Sequence, residues 1–170
     1  SRIISRDSWG SKNNMKPKSR YAYEEIGAKI EEITVNTDND RDLAQIDFKE
    51  NFYVEIEFTT TQRIEGLRTA CTIANKTGKK ICGQRYPQTR IKNGIDAQED
   101  NIWRVRFYFK GNLWPGRYYV NVGVFTEENE LQLFRHRIID AITFEVVSTG
   151  DTLQIGLTTM TDKQASVELV

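Results

Sequence analysis

The sequence predicts an all-β fold, an antiparallel β-sandwich of immunoglobulin-like or jelly-roll kind with about eight to ten strands. Three observations carry that reading. Apolar and polar residues alternate with period two in one segment after another, turn residues punctuate the joins, and no segment shows a convincing amphipathic helix. The 11% aromatic content, mostly Tyr and Phe, and the scarcity of Pro suit pleated sheet.

Residues 1–25 lack an apolar period and carry Arg2, Arg6, Lys12, Lys16, Lys18 and Arg20 against Asp7, and so read as a solvated tether. The β-sandwich is expected over 26–170. In its first strand Ala28 and Ile30 share a parity that Ile33 and Val35 break, which predicts a bulge near Glu31–Glu32. Phe52 to Phe58 alternates cleanly, with Phe52, Val54, Ile56 and Phe58 inward and Tyr53, Glu55 and Glu57 outward. Leu67 to Asn75 and Lys80 to Tyr86 form a hairpin about Thr77-Gly78, and Pro87 to Asp100 reads as a long surface loop. Trp103, Val105, Phe107 and Phe109 then alternate with Arg104, Arg106 and Tyr108. The Gly111–Gly116 segment is turn chemistry, with Trp114 as a hydrophobic plug at the sandwich end. Tyr118 to Phe125, Leu131 to Arg137 and Ala141 to Val147 follow as strands, then Leu153 to Leu157 and Ala165 to Val170.

The 24 basic and 24 acidic residues cancel, so no global field favours nucleic acid or an anionic membrane. No apolar run approaches the ~20 residues of a membrane helix, and no signal-peptide character is present. The chain opens on Ser1 rather than Met, as an excised piece of a longer protein would. Cys71 and Cys82 flank the hairpin turn and read as two thiols of a reducing compartment, with a hairpin disulfide as the alternative.

Phosphate-cradling GxxxxGK[ST], GxGxxG and HExxH patterns are absent. His136 is the one histidine, so a multi-histidine metal site cannot be built. A serine or cysteine nucleophile would have to share that residue, and no elbow motif surrounds any Ser or Cys. Adjacent acids such as Glu127–Glu128 face opposite ways in an extended chain. A non-enzyme is therefore expected, with no cofactor and no metal.

Matching faces across the Gly111–Gly116 turn sets Val105 against Val122 and Phe107 against Val120 inside. The same register places Arg106 against Asn121, Tyr108 against Tyr119 and Arg104 against Gly123 outside. For the next hairpin, Val124 against Leu133 brings His136 beside Asn121 and Phe134 beside Gly123. The candidate carbohydrate-binding face is then Arg104, Arg106, Tyr108, Tyr119, Asn121, Phe134 and His136, with Gly123 leaving room for a ligand. Rings stack on pyranose C–H faces, amides and imidazole bond hydroxyls, and Arg forks onto carboxylate or phosphate. The same residue types suit a protein interface, and on the residues alone both readings stand. A carbohydrate-modifying jelly-roll enzyme is disfavoured by the lone histidine.

The order Gly27-Ala-Lys-Ile30, Phe48 to Ile56, then Phe-Tyr-Phe-Lys-Gly-Asn-Leu-Trp-Pro-Gly-Arg-Tyr-Tyr-Val at 107–120 and Arg137 to Val146 resembles the Wzt-type C-terminal domain. That domain is fused to the ATPase subunit of ABC transporters exporting O-antigen-type polysaccharides. The resemblance covers about Ile26 to Val147, and more loosely the end. It implies a cytoplasmic homodimer at the inner face of the inner membrane, working with an ATPase domain and a membrane subunit. It implies recognition of the modified non-reducing terminus of a lipid-linked glycan, and exchange of a C-terminal strand, here 151–170, between protomers. It does not fix the sugar-contacting side chains.

Overall fold

The computed structural model describes residues 16–90, 92–161, 163 and 165–168. Among the described residues ten strands run in chain order: β1 (Tyr21–Ala22), β2 (Ala28–Asn36), β3 (Gln45–Asp47), β4 (Phe52–Thr60), β5 (Ile64–Asn75), β6 (Lys80–Tyr86), β7 (Ile95–Ala97), β8 (Ile102–Phe109), β9 (Gly116–Glu128) and β10 (Leu131–Val147). They form two sheets. The larger runs β1-β10-β9-β5-β6, with β3 also on β10 and β7 on β5, and the smaller runs β2-β4-β8. The predicted all-β sandwich is the observed one.

The core lies between the sheets because each contributes one apolar parity. From the small sheet come Ile30, Val35, Val54, Ile56, Phe58 and Phe107; from the large sheet Leu67, Ile73, Val120, Val124, Ile142 and Phe144. Phe52 ties them together, with its ring 5.3 Å from both Phe109 and Phe144. The expected bulge in β2 is present: pairing with β4 shifts between Ile30 and Glu32, so Ala28 and Ile30 on one side and Ile33 and Val35 on the other all reach the core. The β5–β6 hairpin is also as expected, with Cys71 opposite Gln84 and Ile73 opposite Cys82. Both cysteines are free thiols, and burial pushes Cys82 up to about 11 and Cys71 well above its ordinary value. Trp114 stacks on Phe48 with ring centres 5.9 Å apart, beside buried Leu113.

Four expectations need correction. β8 does not form a hairpin with β9. It pairs with β4, setting Glu55 opposite Arg106 and Glu57 opposite Arg104, while β9 lies between β5 and β10 in the other sheet. The Gly111–Gly116 segment is thus an arch between sheets. Gly111 sits so tightly against the β3–β4 connection that a Cβ there would come within 2.4 Å of the Glu50 carbonyl oxygen. Second, Leu131 to Arg137 and Ala141 to Val147 are one strand, β10, interrupted by register shifts at Phe134/His136 and Ile138/Ile142. Third, the Pro87–Asp100 loop contains β7, which docks on β5 and buries Ala97. Fourth, Leu153 to Leu157 is not a strand, and the described part of 165–170 is none either. Within the segment read as tether, Tyr21–Ala22 pair with Ile138 and Ile139 of β10.

Candidate glycan-binding faces

The seven expected site residues fall into three groups. Tyr119, Asn121 and Phe134 share the outer face of the large sheet. Arg104, Arg106 and Tyr108 lie on the outer face of the small sheet, pointing away from the first group. His136 lies between the sheets, 2% exposed.

The displacement of His136 has a local cause. The β9–β10 turn is a tight one, with Asn129 and Glu130 at φ 49° and 66°, so Leu133 pairs with Thr126 rather than Val124. That two-residue shift keeps Phe134 outward, opposite Phe125. The bulge at Arg135 then turns His136 inward against Val124. There the Ile30 N–H of β2 donates to His136 Nδ1 at 2.9 Å, joining the two sheets. Burial, followed by the charges of Arg20 and Lys29, lowers the imidazole from its ordinary value to about 4. A buried imidazole that accepts a backbone N–H from the opposite sheet serves as a structural joint.

On the large sheet, a trough of about 390 Å³ crosses β6, β5, β9 and β10. Its floor is made of small side chains, Ala70, Thr72, Ala74 and Gly123, and this makes it concave. Lys80 bounds one side; Phe134, Arg137 and Asp140 bound the other, with Asn121 between. Asn121 is anchored at both ends: its Oδ1 accepts the Asp140 N–H at 2.7 Å and its Nδ2 donates to Thr72 Oγ1 at 3.3 Å. Asp140 needs that anchor because it holds the bulge with φ 49°. Gly123 also leaves room for Phe134: a Cβ there would lie 2.8 Å from Phe134 Cε1. The Phe134 ring packs 5.6 Å from Phe125, and the Arg137 guanidinium lies 4.8 Å above Phe134 and 5.7 Å from Tyr23. Tyr119 stands on the same face, between Ala74 and Thr143 in the register. Lys80, Thr72, Arg137 and Asp140 were not anticipated. The parity of β5 carries a signal for Thr72, since Ala70, Thr72 and Ala74 place three small residues in a row on one face.

On the small sheet, Glu55 is buried and gathers three arginines. Arg106 Nε donates to it at 2.7 Å, Arg104 Nε approaches at 3.5 Å, and Arg41 from the β2–β3 connection ion-pairs with it. Arg104 also reaches Glu57 at 3.0 Å. The Glu55 hydrogen bond raises Arg106 above its ordinary value. This network neutralises much of the charge that the two arginines would offer a ligand. A further cleft, about 760 Å³, lies at the sandwich end among Arg63, Glu65, Arg68, Asp96, Glu127 and Arg135. Its charges are largely mutual: Glu127 pairs with Arg85 at 2.9 Å and Arg68 at 3.6 Å, and Arg68 also donates to the carbonyls of Thr89, Arg90 and Lys92.

Fold and faces together define an all-β sandwich domain with concave, polar-aromatic outer surfaces. The chain belongs to the Wzt C-terminal domain family, whose model matches residues 19–160. Its fold matches the crystal structure of the C-terminal domain of Wzt with a TM-score of 0.78, at 14% identity over 89% of this chain and 91% of that one. More distant likenesses include an alkylpurine DNA glycosylase AlkC from Pseudomonas fluorescens (16% identity, 74% of this chain and 32% of that, TM-score 0.43). Another is a β-glucosidase from Listeria innocua in complex with laminaribiose (12%, 76% and 16%, TM-score 0.40). No protein of curated function matches the chain.

Proposed function

We propose that this chain is a non-enzymatic carbohydrate-recognition domain that reads the modified non-reducing end of a lipid-linked, O-antigen-type polysaccharide for ABC-transporter export. In this reading it acts in the cytoplasm at the inner membrane, alongside an ATPase domain and a membrane subunit. The observation that carries the proposal is the trough on the large sheet. A floor of small residues gives a sugar access, Phe134 offers an aromatic wall, and Asn121, Thr72 and Asp140 offer hydroxyl partners. Lys80 and Arg137 suit a phosphate, carboxylate or similar anionic cap on that terminus. Membership of the Wzt C-terminal domain family supports the same reading.

Calorimetric titration with end-modified O-antigen-type polysaccharides tests it. Arg137→Ala is expected to weaken binding by about ten- to a hundredfold, as the loss of one charge-assisted hydrogen bond does. Phe134→Ala should also weaken it. Wild-type affinity in both variants would move the site off this face.

Self-association is the second part of the proposal. Leu153, Ile155, Met160 and Val167 are 79%, 79%, 89% and 98% exposed, on a stretch with no strand among its described residues. An apolar segment so exposed, alternating over Leu153, Ile155 and Leu157, is suited to pairing with a sheet edge of a second protomer. Light scattering should find a dimer, and truncation before Asp151 should weaken it. A monomeric full-length chain at micromolar concentration would refute the exchange.

A further inference from the structure

The outer face of the small sheet carries a second depression, also about 390 Å³, that the trough does not use. Tyr53 of β4 and Tyr108 of β8 stand directly opposite each other in the register, with ring centres 5.5 Å apart and planes at 45°. Asp38 from the β2–β3 connection, Asn51 ahead of β4 and Lys110 after β8 complete the lining. Tyr108 is 61% exposed, so its ring contributes little to the fold. Asn51 Oδ1 accepts the Gly111 N–H at 2.9 Å, which leaves its amide nitrogen as a donor. The floor is rigid: Arg106 lies 5.6 Å from the Tyr53 ring while its Nε is held by Glu55.

We infer that this depression is a second glycan contact, taking an uncharged, hydroxyl-rich pyranose. The inference rests on the reading of the chain as a glycan binder. Two tilted tyrosine rings offer π-faces to the axial C–H groups of a sugar ring. The Asp38 carboxylate can accept from two vicinal hydroxyls, while the Asn51 amide and the Lys110 ammonium donate to others. An acidic sugar is disfavoured here, because Asp38 repels it and the neighbouring arginines are already engaged by Glu55 and Glu57. The trough, with Lys80 and Arg137, has the opposite preference. Because the two sites lie on outward faces of opposite sheets, one sugar ring cannot span them. Two contacts along a polysaccharide, or on neighbouring chains, would raise avidity without new chemistry at either site.

The test is an amide-resolved NMR titration of the full chain with the methyl glycosides of mannose, glucose and galactose, and with methyl glucuronide. A neutral glycoside should shift the amides of Tyr53, Tyr108 and Lys110 saturably. Tyr108→Ala should weaken that response by about three- to tenfold, and Asp38→Asn should weaken it without loss of the ring platform. Neither change should alter responses at Gly123 and Phe134. Shifts confined to the trough would overturn this inference and leave the glycan reading intact. Shifts confined to the tyrosine pocket would uphold the inference and remove the trough. No response to any glycoside would overturn both. If Tyr108→Ala changes only the oligomeric state, the face is a protein contact and the inference fails.

Discussion

Acidification should loosen the joint between the two sheets at His136. The imidazole is 2% exposed, and its Nδ1 accepts the Ile30 N–H of β2. Protonation would place a charge between the sheets and turn that acceptor into a donor facing another donor. The folded-state value is about 4 against 6.5 for the free side chain, lowered first by burial and then by Arg20 and Lys29. The unfolded chain therefore binds the extra proton first. The stabilisation is complete above about pH 6.5 and is lost as pH falls from there toward 4; the integrated loss at pH 4 is about 3 kcal/mol. Carboxylates titrate in the same range, so the comparison must be internal. His136→Asn keeps a side-chain oxygen to accept from Ile30 and removes the titration. Urea unfolding of both proteins between about pH 7 and pH 4 should show the wild type losing about 3 kcal/mol more than the variant. His136 is the sole histidine, so one imidazole NMR signal reports its protonation directly. Identical pH profiles for the two proteins, or an imidazole titrating near 6.5 in the folded state, would refute the argument.

Other perturbations separate structural from ligand-facing roles. Gly123→Ala should push the Phe134 ring off the sheet, because the new methyl would stand 2.8 Å from Cε1, and should cost about 1–3 kcal/mol in urea unfolding. Asn121→Ala should cost about 0.5–1.5 kcal/mol by removing the acceptor of the partly buried Asp140 N–H of the bulge, and hydrogen exchange at Asp140 should accelerate. Glu55→Ala should destabilise by about 1–3 kcal/mol, since it leaves Arg41, Arg104 and Arg106 together without their shared counter-charge, while their solvent exposure keeps the cost below that of a fully buried pair. Unchanged stability would mean that water alone holds the three cations.

The strands themselves were legible because period-two alternation is a local property. Phe52 to Phe58 and the Ile30/Glu32 bulge could be read from parity, since an extra residue flips every later side chain. Partner choice is not local. β8 and β9 each present an apolar inner face and a polar outer one, so face matching accepts them as a hairpin. Nothing in that criterion separates a turn within one sheet from an arch between two. Charge does separate them. In the hairpin register Arg104 and Arg106 would have stood opposite Gly123 and Asn121, which cannot compensate two cations two residues apart. Glu57 and Glu55 of β4 have the same spacing, the same outward parity and the opposite sign, and they are the observed partners. Cross-strand charge complementarity was present in the sequence and favoured β4. The burial of His136 was less accessible, since it depends on one extra residue at Arg135 and a tight turn at Asn129–Glu130. Neither residue of that turn is a glycine, although both adopt positive φ. The proposed binding faces follow from the same topology. Once β8 lies beside β4, its arginines stabilise a buried carboxylate and Tyr108 joins Tyr53, while the large sheet keeps an uncrowded floor beside Phe134. A single anticipated site thereby becomes two surfaces of different chemistry, one cationic and one tyrosine-walled.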